Sequence, residues 1–268
     1  MRNTGTAEVV ARLRAAGCVF AEDEAQLLMT AARTEAELAD LVERRSSGIP
    51  LEHVLGWAEV CGLRIEVDPG VFVPRRRSEF LVSETVRAAP VAASPDRPAG
   101  PVLLDLCCGC GAIGVAVASA LGRAELHAAD IDPVAVSCAR RNVATVGGHA
   151  YEGDLYSPLP ADLRGRVDLL VVNAPYVPTG ELRLMPAEAR LHEHRVALDG
   201  GRDGVEIHRR VAAGAAGWLA PAGRLLIETS ERQAPLTAAA VRSGGLAPAV
   251  VTDDDLEATV VIGSAAAR

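Results

Sequence analysis

Between Ala21 and Gly48 the apolar residues fall at spacings of three and four, at Ala25, Leu28 and Ala32 and again at Leu38, Leu41 and Val42, with polar residues between them. That period predicts short amphipathic helices. Thr34 stands three residues before Glu37, the spacing of a capping box, and Gly48 followed by Pro50 supplies the stop. Past Trp57 the pattern changes to alternation, through Leu63, Ile65 and Val67, with turn residues at Asp68-Pro69-Gly70. This predicts a β-hairpin bridging two domains. The stretch from Ala88 to Pro101 holds four prolines and no periodicity, and reads as a loop.

After that loop the chain becomes regular. Apolar runs at Val102 to Leu106, Ala124 to Ala129, Val167 to Val172, Arg224 to Thr229 and Thr259 to Ile262 have the length and composition of strands, and helical segments separate several of them. Such alternation predicts a parallel α/β sheet. One helix is marked at its start by Asp132 as N-cap and Pro133 in the first turn.

Composition narrows the class. The 268 residues are 49% hydrophobic and 23% charged, a balance that implies a folded globular protein. No apolar run approaches the roughly 20 residues of a membrane span, and the first residues lack the apolar block of a secretory signal, so the expected compartment is the cytoplasm. A net charge of −8 opposes nucleic acid as a partner, since phosphate binding draws on basic surface. Three of the six cysteines, Cys107, Cys108 and Cys110, are crowded too closely to pair comfortably, and reduced thiols are the simpler reading.

The chemistry begins where the first strong strand ends. Asp105-Leu106-Cys107-Cys108-Gly109-Cys110-Gly111-Ala112-Ile113-Gly114 joins a strand to a helix, and its glycines let a ligand approach the main chain. Asp130, at the end of the next strand, is placed to hold the hydroxyls of a ribose. The glycine spacing alone would also admit a dinucleotide such as NAD. Asp105 favours S-adenosylmethionine (SAM), because a carboxylate at the mouth of the loop suits an α-ammonium group and is poorly placed beside a pyrophosphate. The cysteines lack the second Cys or His pair of a structural zinc site, and His192 with His194 lacks a third ligand, so no metal is expected.

The run Val167 to Val172 leads into Asn173-Ala174-Pro175-Tyr176. Polar residues at the carboxyl end of a buried strand are where open α/β sheets bind ligands, although Asn and Pro are also ordinary turn residues. An amide nitrogen is a poor nucleophile because its lone pair is delocalised. A catalyst must accept both N–H bonds and aim the lone pair at the electrophile, which the Asn173 side-chain oxygen and the Ala174 carbonyl could do, with Tyr176 as a flat wall.

Taken together these segments resemble the HemK/PrmC family of protein-(glutamine-N5) methyltransferases that act on peptide-chain release factors. Arg44-Arg45 with Gly48-Ile49-Pro50-Leu51 and Leu55-Gly56 resembles the end of the family's helical N-terminal domain. Val73-Pro74-Arg75 with Ser78-Glu79 is similar to its Ile-Pro-Arg-Pro-Glu-Thr-Glu segment. Asp105 to Gly114, Asp130-Ile131, Gly153-Asp154-Leu155, Asn173 to Tyr176, Ala197 to Gly201 with Asp203-Gly204, and Glu228 with Gln233 follow in the family's order.

The resemblance implies a seven-stranded, mostly parallel class I SAM-dependent methyltransferase sheet with an antiparallel strand near one edge. Its implied organisation is a helical substrate-recognition domain over residues 1–56, a β-hairpin connector over 57–74 and the methyltransferase domain over 75–268. It also implies that Asp105, Cys107, Cys108, Gly109, Cys110, Gly111, Asp130, Ile131, Asp154, Leu155 and Asn173 meet SAM, and that Asn173, Ala174, Pro175 and Tyr176 clamp a glutamine of a release factor-like protein. The sequence departs from the family at Ala174, where the motif has its first proline, and at Cys107, where it has glycine. It departs again at Arg76-Arg77, which stand for Pro-Glu, and at His192-Glu193-His194. A small-molecule amide or amine, adenine in nucleic acid, or a non-catalytic SAM-binding role are the alternatives these departures leave open.

Overall fold

The computed structural model describes residues 2–90 and 100–265. The chain opens with α1 (Arg2–Ala15), α2 (Ala21–Ala31), α3 (Glu35–Ser46) and α4 (Leu51–Leu55). Leu13, Ala25, Leu28, Val42 and Val54 bury against one another as a small core separate from the rest. The Thr34 hydroxyl accepts from Glu37 N at 3.1 Å, as a cap should, while the Glu37 carboxylate accepts from Arg33 N at 2.7 Å, one residue earlier than a standard capping box.

A hairpin follows, β1 (Trp57–Val60) paired antiparallel with β2 (Leu63–Glu66). Its turn is Cys61-Gly62, not the Asp68-Pro69-Gly70 that the sequence pointed to. Both turn residues have positive φ, 50° and 75°, which matches the right-handed twist of a two-residue hairpin. Asp68-Pro69-Gly70 makes the next bend instead, closed by Val71 N donating to Asp68 O at 3.1 Å. Cysteine is an uncommon residue at such a turn, so nothing in its chemistry marked the position.

The larger unit runs α5 (Ser78–Ala88), β3 (Val102–Leu106), α6 (Ala112–Leu121), β4 (Glu125–Asp130), α7 (Pro133–Ala144), β5 (His149–Glu152), β6 (Val167–Val172), α8 (Ala187–His192), α9 (Glu206–Ala215), β7 (Leu219–Thr229), α10 (Ala234–Ser243), β8 (Leu246–Asp253) and β9 (Ala258–Ala265). Most of the proline-rich stretch read as a loop, residues 91–99, lies outside the described residues. The seven strands lie in the order β5-β4-β3-β6-β7-β9-β8, all parallel except β9, which is antiparallel to both neighbours. The expected α/β sheet, with its antiparallel strand near one edge, is therefore present.

Every residue of β3 and of β6 is buried. Leu103, Val171 and Leu226 face α5, α6 and α7, and Leu104, Leu170 and Leu225 face α9 and α10. With both faces covered, central strands read as unbroken apolar runs. The edge strands β5 and β8 were illegible for the opposite reason. His149–Glu152 is half exposed, and β8 alternates exposed and partly buried positions around Pro248, as an edge tolerates.

The chain leaves β3 for β4 on one side and later places β6 on the other, so a crevice opens beyond the carboxyl ends of these strands. The helical unit is tied beside this crevice by Arg45, which is 7% exposed and pairs with Glu24 at 2.6 Å and with Glu188 of α8 at 2.6 Å. Among the described residues no helix is long and apolar enough to cross a membrane.

Candidate active site

The crevice is a cavity of about 610 Å³. One end is walled by the β3–α6 loop, by the end of β4, and by Asp154 and Leu155 on the turn after β5; the other is walled by Asn173 to Val177, Arg77 and Ser78. Cys107, Cys108, Gly109, Cys110, Asp130, Ile131, Asp154, Leu155 and Asn173, all named from the sequence, line it together. Asp105 and Gly111 do not. Gly111 is turned to α7, where an added Cβ would meet Val143 at 3.1 Å, and Asp105 lies beneath the loop.

The loop is held by hydrogen bonds to the strand ends. Cys108 N donates to Ala129 O at 3.1 Å, Gly111 N to Cys108 O at 2.7 Å, and Gly109 N to Asp130 Oδ2 at 2.8 Å. Cys107 has φ 56°, a left-handed conformation that costs a side chain about 1–2 kcal/mol and explains why glycine suits the position. Burial pushes the thiols of Cys107, Cys108 and Cys110 well up, so they are neutral, compact fillers and poor metal ligands. All six cysteines are free.

Asp130 closes β4 with both oxygens engaged, Oδ2 by Gly109 N and Oδ1 by Asp132 N at 2.9 Å. Each carboxylate oxygen keeps a second lone pair, which leaves acceptors for a vicinal diol. Asp154, on the turn after β5, is paired with Arg210 at 2.6 Å. Asp105 is 1% exposed; its Oδ2 accepts from Gly114 N at 2.9 Å, and Oδ1 is buried with no hydrogen-bond partner. Burial pushes its carboxyl up to about 7, against the pull of the Gly114 N–H and with a smaller push from Asp130. An orphaned carboxylate oxygen behind the loop fits a cationic ligand group on the other side of it. The residues present thus fit SAM: a cation balance, a diol acceptor, a polar turn and apolar walls from Ile131 and Leu155.

At the other end, Asn173 Nδ2 donates to Ser78 Oγ at 3.2 Å, which leaves Asn173 Oδ1 as its free acceptor. Tyr176 is half-buried, and its phenol is pushed up to about 12 by desolvation, so it presents a neutral ring. The Arg77 guanidinium lies 5.7 Å from the centre of that ring. The His192-Glu193-His194 stretch serves as a set of ties. Glu193 accepts from Arg75 and from Val73 N, and His194 Nδ1 lies 2.5 Å from Asp132 Oδ2. Among the described residues no group of three or more His, Cys, Asp or Glu is placed to hold a metal.

The Methyltransferase small domain family matches residues 65–202. A release factor glutamine methyltransferase of Moorella thermoacetica is 35% identical over 84% of this chain and 84% of its own length, and one of Geobacter sulfurreducens is 39% identical over 72% of this chain and 65% of its own length. The chain belongs to the release factor glutamine methyltransferase family. A 4-amino-L-phenylalanine/4-methylamino-L-phenylalanine methyltransferase of Streptomyces pristinaespiralis is also similar, at 33% identity over 76% of this chain and 69% of its own. Among solved structures a methyltransferase of Pyrococcus furiosus shares the fold, with a TM-score of 0.58 at 15% identity over 83% of this chain and 98% of that one.

Several family-like residues had no role in the sequence reading, and the structure gives them one. Gly200 and Gly204 are packed against the Asn173–Tyr176 segment so closely that an added Cβ would sit 2.7 Å from Pro175 O and 2.3 Å from Tyr176 O respectively. Thr179 N donates to Gly201 O at 2.9 Å, and Gly200 N to Val177 O at 2.9 Å. These contacts form a rigid back for the tetrapeptide, and only contact in space could reveal them.

Proposed function

We propose that this chain transfers the methyl group of SAM to the side-chain amide nitrogen of a glutamine, in the Gly-Gly-Gln loop of a peptide-chain release factor, in the cytoplasm. The observation that carries this reading is the state of Asn173. Its amino group is spent on Ser78, so its carbonyl oxygen is the group available to an acceptor amide. Asn173 Oδ1 and the Ala174 carbonyl take the two N–H bonds of the glutamine, and Pro175 and Tyr176 flank its plane.

SAM, when bound, supplies an electrophilic methyl group on a sulfonium. Asp130 would accept from its ribose hydroxyls, Asp154 and Leu155 would border the adenine with Ile131, and Cys107 to Cys110 would border the amino-acid end, with Asp105 behind them. The protein need only hold the amide: the N–C bond would form as the S–C bond breaks, S-adenosylhomocysteine would be the leaving product, and the nitrogen would lose one N–H proton to solvent after transfer, so no strong base is required before it. The helical unit, described from residue 2 to residue 56, is tied by Arg45 to Glu188 of α8 and serves to recognise the protein substrate.

The similarity to the Streptomyces pristinaespiralis enzyme, together with Ala174 in place of a proline, favours an aromatic amine of a free amino acid as the second reading. One experiment separates them. The pure protein is incubated with methyl-labelled SAM and either cognate release factors or 4-amino-L-phenylalanine, and products are read by mass spectrometry. Stoichiometric methylation of the Gly-Gly-Gln glutamine, abolished in Asn173→Ala, is the expected result. Labelled amino acid with unlabelled release factor would overturn it in favour of the second reading.

A further inference from the structure

The turn after β5 carries a strained residue at the wall of the cavity. Leu155 has φ 48°, a left-handed conformation that a residue with a Cβ rarely adopts, and it lines the cofactor end between Asp154 and Tyr156. Such a conformation persists only where the surroundings hold it. Both neighbours of Leu155 are held, and by the same helix. Asp154 Oδ2 accepts from Arg210 Nη2 of α9 at 2.6 Å, and the Tyr156 hydroxyl donates to Val211 O, one residue further along α9, at 2.8 Å. The Tyr156 ring also stacks on Trp218, with centres 5.5 Å apart and planes 13° from parallel. It lies so close to Gly214 of α9 that an added Cβ there would fall 2.5 Å from its edge.

The helix is a firm support. Val211, Ala212 and Ala215 are fully buried, His208 Nδ1 lies 2.9 Å from Thr237 Oγ1 of α10, and at the start of the helix Glu206 N donates to Gly200 O at 3.1 Å. A half-exposed ion pair contributes little by itself, and a single neutral hydrogen bond only modestly. Their effect comes from where they sit, one on each side of the strained residue. Tyr156 does not line the cavity, so whatever it does for a ligand it does through the turn.

We propose, on the reading of this end of the cavity as the SAM site, that Arg210 and Tyr156 are positioning residues which fasten the Asp154–Tyr156 turn to α9 and so hold Leu155 against the cofactor. Leu155 borders the half of the ligand that SAM and S-adenosylhomocysteine have in common. Both should therefore depend on the fastening equally. A cation acting by charge alone would behave differently: its removal would favour SAM, with its positive sulfonium, over the uncharged thioether of the product.

Isothermal titration with each ligand tests this. Arg210→Ala and Tyr156→Phe should each weaken both ligands about threefold or more, by factors that agree within about twofold, and Arg210→Lys should recover most of the loss. A second arm needs no ligand. Gly153 N donates to Asp130 O at 2.9 Å and Ser157 N to Asp154 O at 3.0 Å, so hydrogen exchange at these two amides, followed by NMR, reads the turn directly. In both variants it should quicken about threefold or more, and by a larger factor than at any amide of β3. Unchanged affinities, a gain for SAM with none for the product, or unchanged exchange in the turn would each overturn the positioning role. Exchange quickened as much in β3 as in the turn would overturn it too, by showing a general loss of stability. If neither ligand binds the wild-type protein, the SAM reading fails, and exchange in the turn still decides whether Arg210 and Tyr156 hold it.

Discussion

Gln233 reaches across from the start of α10 and donates from Nε2 to the main-chain carbonyl of Tyr176 at 2.8 Å. The same nitrogen donates to Asp203 O at 3.1 Å, and Ser230 Oγ donates to Gln233 Oε1 at 2.6 Å, so the amide is fully oriented. One side chain thereby locks the last residue of the Asn173–Tyr176 segment to the glycine turn behind it. The segment owes its shape to this backing as much as to its own four residues.

Gly204→Ala tests that backing. The residue has φ +77°, and an added Cβ would fall 2.1 Å from Gln233 Nε2 and 2.3 Å from Tyr176 O, so the segment must shift. A displacement of even about 1 Å at a positioned group can cost on the order of a hundredfold in rate. We expect kcat on the acceptor to fall by at least about tenfold, with SAM affinity changed by less than about threefold in calorimetry. Equal loss of both would mean that the turn supports the whole cavity and not the acceptor end.

Asp130→Ala separates the cofactor end from the acceptor end. The carboxylate anchors Gly109 N and Asp132 N in addition to its proposed role toward the ribose, so removal both deletes the acceptor and loosens the loop. SAM affinity should fall by about tenfold or more, since charge-assisted hydrogen bonds contribute roughly 1.5–3 kcal/mol each. Isothermal titration with unchanged affinity would reject the ribose role.

How much of this was legible follows from the physics of each feature. The central strands β3 and β6 announced themselves because burial on both faces demands unbroken apolar runs, whereas β5 and β8 sit at edges and carry no such demand. The glycine loop, Asp130 and Asn173–Tyr176 were readable because their chemistry is local to a short segment. Ser78 and Gln233 could be named only as part of the family's order, with no role, since each bonds across a separation of tens of residues to a partner that only the folded sheet brings near. Asp105 was read as facing the ligand and lies instead behind the loop, because its strand position sets its direction and the loop's left-handed turns set what covers it.

Two buried groups with opposite linkage make the last prediction. His208 is fully buried, with Nδ1 2.9 Å from Thr237 Oγ1 and Nε2 without a partner, and burial, aided by Arg209, pushes its imidazolium down to about 4. Between pH 4 and about 6.5 the unfolded chain holds this proton and the folded chain does not, so stability rises with pH by up to about 3 kcal/mol, is fully present above 6.5 and is lost as pH falls through 4. Asp105 works the other way. Its folded carboxyl, near 7, holds a proton that the unfolded chain has released above about 3.8, so its contribution is full below 3.8 and falls by up to about 4 kcal/mol as pH rises through 7. In the wild-type protein these two slopes nearly cancel over pH 4–6.5. Asp105→Asn should uncover the histidine slope, giving a melting temperature that climbs with pH across this window, and His208→Asn should uncover the carboxylate slope, giving one that declines. Thermal melts of the three proteins without ligand, in buffers of equal ionic strength, decide the matter: parallel profiles would show that neither group carries the charge state its burial dictates.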